Sequence, residues 1–168
     1  MKTRAHRLAL VAYRNLPTRI RRLVVRLIAP TFSVGANCVI LDGDRVLLVR
    51  LSYRKRWGLP GGLVARREVP AAAAIREAAE EVGLAVEPTG PPAVVVDAEA
   101  RRVDVVHRCR VAPGSSPASA APRSPEIIET RWFALDDLPE LQHETAEALE
   151  AVGLDARRGD HWPPRGEH

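Results

Sequence analysis

At 168 residues the chain suits one domain, since single cores usually hold roughly 100–200 residues, and two full catalytic domains are not expected. With 46% apolar and 27% charged residues it is neither collagen-like nor disordered throughout, and it can bury a core. The net charge of +4 is uneven: residues 1–30 hold eight Lys or Arg and no acid, whereas residues 31–168 carry −4. A basic arm on a mildly acidic globule points to an anionic partner or to the globule itself, not to a protein that coats nucleic acid.

The chain offers no run of the roughly 18 apolar residues that a membrane span needs. The apolar stretch 8–12 after the charged start is shorter than a secretory h-region and is soon broken by Arg14, so export is not expected and the reading is cytoplasmic. Cys38 and Cys109 lie far apart in apolar runs with no Cys or His at zinc-ligand spacing, which reads as two reduced core thiols.

In chain order, Leu16, Ile20, Leu23, Val24, Leu27 and Ile28 fall at helical spacing, with Arg19, Arg22 and Arg26 directed elsewhere. Residues 1–30 are thus expected to form a basic arm with an amphipathic helix, ended by Pro30. Docking of that helix on protein, in its own domain or in a homodimer, is favoured over contact with nucleic acid or a membrane surface, because it lacks the aromatic anchors of interfacial helices.

Two apolar runs, 33–41 and 45–51, flank Asp42-Gly43-Asp44 and read as a hairpin. The segment Trp57-Gly58-Leu59-Pro60-Gly61-Gly62 then interrupts regular structure. A helix is predicted over 70–82, where Ala71, Ala74, Ile75, Ala78 and Val82 repeat at helical spacing and Gly83 supplies the stop. Strand-like runs follow at 93–96, 103–111 and 130–135. Between the last two, the Pro- and Ser-rich stretch 113–125 reads as a long mobile loop. Residues 136–152 suggest a turn and a final helix, and 153–168 a disordered tail, leaving 31–152 as the main domain.

The chemistry concentrates in the predicted helix 70–82. At about 100° per residue, Glu80 lies about 60° to one side of Glu77 and Glu81 about 40° to the other, so three carboxylates share one face. Like charges placed together repel and raise one another's pKa, a penalty that a divalent cation removes. Hard carboxylate oxygens without His or Cys favour Mg²⁺ or Mn²⁺ over zinc, and Mg²⁺ completes its shell with water and substrate phosphate, which makes a phosphoanhydride the natural substrate. Arg76, four residues before Glu80, can hold that carboxylate in one rotamer.

The run from Gly62 through Glu68 to Arg76-Glu77-Ala78-Ala79-Glu80-Glu81-Val82-Gly83-Leu84 resembles a Nudix box, with seven fixed positions occupied over 23 residues. Residues 57–62 are similar to the lead-in of that box, and Arg131-Trp132-Phe133 with Asp137-Leu138-Pro139 resembles the family's late strand and short helix. The likeness covers residues 33–152. It implies an α/β/α sandwich with a mixed β-sheet, to which the basic N-terminal helix is an addition. It also implies a diphosphatase that cleaves a nucleoside diphosphate linked to another moiety, through attack of metal-activated water.

Carried over by position, the resemblance makes Glu80 and Glu81 metal ligands, Glu77 a ligand or the general base, the Gly61 carbonyl a backbone ligand, and Glu68 with Arg76 a supporting pair. Glu126, ahead of the last strand, is a candidate to reach the metal or the water from across the cleft. Arg50, Tyr53 and Arg54 are candidates for the substrate, the tyrosine by stacking and the bases by phosphate contact. Family members commonly have an acid at the position of Ala65 and a glycine at that of Arg67, so a different turn is expected before Glu68. Val69 is also a poor helix N-cap.

Nucleoside triphosphates, such as oxidised dGTP, compete with ADP-ribose and nucleotide sugars as substrates. Glu99 and Ala100 occupy the region where ADP-ribose and diadenosine polyphosphate subgroups carry a proline or a tyrosine. A nucleotide- or protein-binding module that uses the basic arm for contact is the alternative. Such modules usually lose box glutamates, and this chain retains them.

Overall fold

The computed structural model describes residues 13–29 and 31–155. Residues up to Phe32 and residues from Ser33 onward form two separate compact units. In the first, helix α1 (Thr18–Ile28) follows Pro17, whose carbonyl accepts from the Ile20 and Arg21 amides at 2.9 and 3.0 Å. This matches the expected amphipathic segment, and Ile20 and Val25 are exposed on it. The charged start, 1–12, and most of the expected tail, 156–168, lie outside the described residues. Among the described residues no helix is long and apolar enough to cross a membrane.

The second unit is built on a seven-stranded mixed sheet. Strands β1 (Ser33–Asp42) and β2 (Arg45–Leu51) form the expected hairpin, and Gly43 at φ +64° takes the left-handed position of its turn. Strand β3 (Gly61–Leu63) pairs antiparallel with β1, and β4 (Val86–Pro88) and β5 (Ala93–Asp97) both pair antiparallel with β6 (Arg102–Val111). β6 runs parallel to β1, Cys38 opposite His107, and β7 (Ile127–Ala134) closes the other side against β2.

Helix α2 (Pro70–Val82) packs on one face of this sheet and helix α3 (His143–Ala151) on the other, which makes the expected α/β/α sandwich. The α2 side buries Ala36, Cys38, Ile40, Leu47 and Val49 against Ala73, Ala74, Ala78 and Val82. Because the helix contributes mainly alanines, its axis lies close to the strands, and the apolar contact fixes the rotation that turns its acidic face outward. The α3 side gathers Val39, Val46, Leu48, Val106, Leu141 and Leu149. Cys38 and Cys109 are both free and buried, as expected, and their sulfurs stand 3.6 Å apart beneath α2.

One expectation fails. The 113–125 segment is not a loose loop: Pro117–Ser119 forms a 3₁₀ turn, and the Trp132 indole donates to the Pro117 carbonyl at 3.0 Å. Its Ala121 and Arg123 amides donate to the Val82 and Glu81 carbonyls at 3.1 and 2.8 Å, so it caps the C-terminus of α2. Backbone amides carry these contacts, and a composition of Pro, Ser and Ala does not reveal them.

Candidate active site

Helix α2 has the bounds that its periodicity predicts, with Pro70 in the first turn and Gly83 left-handed at its end. Val69 makes no side-chain cap, as its chemistry dictates. On the outward face Arg76 is a hub. Its Nε and Nη2 donate to the two oxygens of Glu68 at 3.0 and 3.2 Å, and its Nη1 to Glu77 Oε1 at 2.7 Å and Glu80 Oε2 at 3.1 Å. Nη2 also reaches the Leu63 carbonyl at 3.4 Å. A fork of five donors in one plane can do this where an ammonium cannot.

Glu68 is fixed from its other side by the Ala65 amide at 2.8 Å. The Arg76 bond, and then this amide, hold its carboxyl below the ordinary range. The turn that presents Glu68 has Arg67 in the left-handed region at φ +71°. At Arg67 an arginine thus adopts the left-handed conformation that suits glycine.

Glu81 points the other way, into the sheet edge, where the Gly61 amide donates to its Oε2 at 2.9 Å. Burial pushes its carboxyl up from 4.5 to about 7, the Gly61 amide opposes this, and the charges of Glu77, Glu126 and Glu80 add to the rise. Gly62 stands beside Glu77, and a Cβ there would overlap Glu77 Oε1. β3 thus needs a glycine at Gly62 to let this carboxylate lie against the strand. Across the site the Tyr53 hydroxyl donates to Glu126 Oε2 at 3.2 Å, and burial followed by the Glu126 charge raises the phenol.

Among the described residues no three His, Cys, Asp or Glu side chains form a ready-made metal cage. The acids rest instead on Arg76 and on the Gly61 amide. The donor chemistry fits a hard divalent cation all the same: Glu81 shares its surroundings with three further carboxylates whose charges disfavour its ionisation, and a cation reverses that balance. Glu77, Glu80, Glu81 and Glu126 are the side chains that would hold it.

Beside the carboxylates lies a cleft of about 240 Å³, bordered by Gly61 and Gly62 and lined by Tyr53, Arg54, Asp104 and Thr145. Arg54 Nη1 stands 3.5 Å from Glu144 Oε1 on α3. Arg50 is turned elsewhere, bonded to Glu129 with its guanidinium 5.6 Å from the Trp57 ring centre. His107 is buried in β6, where desolvation lowers its pKa.

A sequence-family model, the NUDIX domain, matches residues 31–152. The chain belongs to the Nudix family of hydrolases. A MutT Nudix hydrolase from Burkholderia pseudomallei is 34% identical, with a TM-score of 0.60 over 73% of this chain and 99% of that one. An ADP-ribose pyrophosphatase from Streptococcus suis is 30% identical, with a TM-score of 0.58 over 79% of this chain and 97% of that one. A CMP-5'-(N-acetyl-N-hydroxy-3-aminopropyl)phosphonate hydrolase from Streptomyces rubellomurinus is 34% identical over 130 residues. The match spans 71% of this chain and 62% of that relative's length. Relatives in this Nudix group thus act on nucleotide phosphates.

In this Nudix domain Arg76 gathers Glu68, Glu77 and Glu80, Gly62 abuts Glu77, and Glu81 rests on the Gly61 amide. Tyr53 brings Glu126 to the same side, and Arg54 borders the neighbouring cleft. Sequence reasoning passed over Asp104, Gln142, Glu144 and Thr145, which line that cleft from β6 and the start of α3. For Asp104 a signal existed: it is a single acid within the apolar run Val103-Asp104-Val105-Val106.

Proposed function

We propose that the protein is a metal-dependent pyrophosphohydrolase that cleaves a nucleoside diphosphate linked to another moiety. The observation that carries this reading is the grouping of four glutamates beside a cleft walled by glycines. One of them, Glu81, is held near pKa 7 by burial and by its neighbours' charge. Bound there, Mg²⁺ or Mn²⁺ would activate water and neutralise charge on the phosphate oxygens.

The chain's own residues supply the rest. Gly61 and Gly62 let β3 lie closer to Ala36 and Asn37 of β1 and to Glu77 than side chains would permit, which sets the Glu77 carboxylate beside the strand. Glu68, committed to Arg76 through both oxygens, is a weak proton acceptor and serves to position the guanidinium. Glu77 gives one oxygen to Arg76, and its Oε2 takes the proton of the attacking water. The water oxygen bonds to one phosphorus, the bridging P–O bond breaks, and the bridge oxygen leaves with its electron pair on the departing phosphate.

The experiment is a panel of nucleoside triphosphates, ADP-ribose, nucleotide sugars and CMP- or UMP-linked diphosphates, incubated with Mg²⁺ or Mn²⁺ and separated by ion exchange. Release of two phosphate-bearing fragments from at least one class, abolished by chelator, is the expected result. A chain inert towards every class with either ion contradicts the reading.

A further inference from the structure

Asp104 is a carboxylate that the phosphate chemistry does not use, and it is placed as a reader of something else. It sits on β6 only 7% exposed, yet it lines the cleft beside the glutamates. Its two oxygens have different surroundings. Oδ2 accepts from Arg102 Nε at 2.7 Å, while Oδ1 lies over Gly35 of β1, where a Cβ would overlap it. Gly35 is therefore the residue that admits this oxygen to the cleft. Burial pushes the Asp104 carboxyl above its ordinary value, the Arg102 guanidinium pulls it back, and the charges of Glu144 and Asp97 add to the rise.

Position narrows which donor of a substrate Oδ1 could meet. Gly61 and Gly62 border the same cleft, and Gly62 abuts Glu77, so a substrate whose diphosphate lies along the glycines extends its nucleoside into the cleft. The volume of about 240 Å³ falls below the roughly 300–1,000 Å³ of drug-sized ligand pockets, which suits one ring better than two. Among single-ring bases, cytosine presents an exocyclic amino group where uracil presents a carbonyl. A carbonyl facing Oδ1 would set two acceptors against each other in a desolvated place.

We infer that Asp104 Oδ1 accepts a hydrogen bond from the exocyclic amino group of the base, which makes cytidine the preferred nucleoside of the diphosphate substrate. This rests on the pyrophosphohydrolase reading for the placement of the phosphates. A site built around a buried polar group rejects the analogue that cannot pair with it. In Asp104→Asn the amide oxygen stays with Arg102 and the amide nitrogen faces the cleft, so the preference should move towards uridine.

The test is calorimetric titration of the full-length chain with CMP and with UMP in the presence of Mg²⁺. The wild type should bind CMP about tenfold or more tighter than UMP, as a hydrogen bond to a charged group implies. Asp104→Asn should level or reverse that ratio, and Gly35→Ala, whose added Cβ displaces Oδ1, should level it independently. Equal binding of the two nucleotides by the wild type, or binding of neither, overturns the inference. So does an equal loss for both in Asp104→Asn, the mark of a ribose contact or of a merely structural ion pair. Hydrolysis of the diphosphate panel is scored separately: an active enzyme without this discrimination refutes the cytidine assignment alone.

Discussion

Glu81 and Gly61 are joined across the front of the sheet: the glycine amide donates to Glu81 Oε2 at 2.9 Å, while the Glu81 carbonyl takes the Arg123 amide at 2.8 Å. Its side chain is thereby tied to β3 and its backbone to the segment before β7. The carboxylate's position is consequently set by three parts of the chain. Its surroundings, and not its intrinsic chemistry, put its pKa near 7.

That value has a sign. In the metal-free protein the folded state holds the Glu81 proton from an ordinary 4.5 up to about 7, so the stability it contributes is full below about pH 4.5 and is lost as pH rises through 7. A divalent cation needs the ionised form, so its affinity rises over the same window. The increase in melting temperature on adding Mg²⁺ should therefore be larger at pH 8 than at pH 5.5. Glu81→Gln should flatten this dependence.

Arg76 holds Glu68, Glu77 and Glu80 with one guanidinium. Arg76→Lys keeps the charge but loses the fork, and supporting residues of this kind typically cost about 10–100-fold in metal affinity or activity. The expected result is that loss with a small change in melting temperature, checked by turnover over a Mg²⁺ titration and by calorimetry. A lysine variant with wild-type turnover at every Mg²⁺ concentration would remove Arg76 from the machinery.

The segment before β7 makes the opposite prediction to the one its composition invites. Deleting residues 115–121 removes the bonds from Ala121 to Val82 and from Trp132 to Pro117, and loosens the one from Arg123 to Glu81. Each such bond is worth about 1 kcal/mol, and roughly 2–4 °C follows per kcal/mol at this size. Melting should fall by several degrees and turnover by about tenfold or more. A deletion variant matching wild type in both would restore the mobile-loop reading.

Helix α2, the β1–β2 hairpin and the box residues were legible because each is written as local periodicity or as fixed spacing. β3 and β4, three residues each, were not: they exist only through register with β1 and β6, and a Gly-Gly-Leu run carries no alternation of its own. The cleft was hidden for a related reason. Gly35, Asp104 and Thr145 meet there from β1, β6 and α3, and nothing in one stretch of sequence announces such a meeting.

Arg67 gives a stability test. A left-handed L-residue costs roughly 1–2 kcal/mol, and glycine returns about 0.4–1 kcal/mol of that through the greater freedom of its unfolded chain. Arg67→Gly should raise the melting temperature by about 2 °C, and Arg67→Val, with a β-branched side chain at φ +71°, should lower it. Thermal scans of both variants check this, and the reverse order would contradict the strained turn.

The most direct measurement of the central claim is turnover of Glu80→Gln and Glu81→Gln at saturating Mg²⁺ on the best substrate of the panel, with melting curves alongside. On the proposed reading each change removes a charged metal ligand and leaves the apolar contacts of α2 intact, so turnover should fall by a factor on the order of 10²–10⁴ while the fold persists. Unchanged turnover in both variants would contradict a metal-dependent pyrophosphohydrolase built on these glutamates.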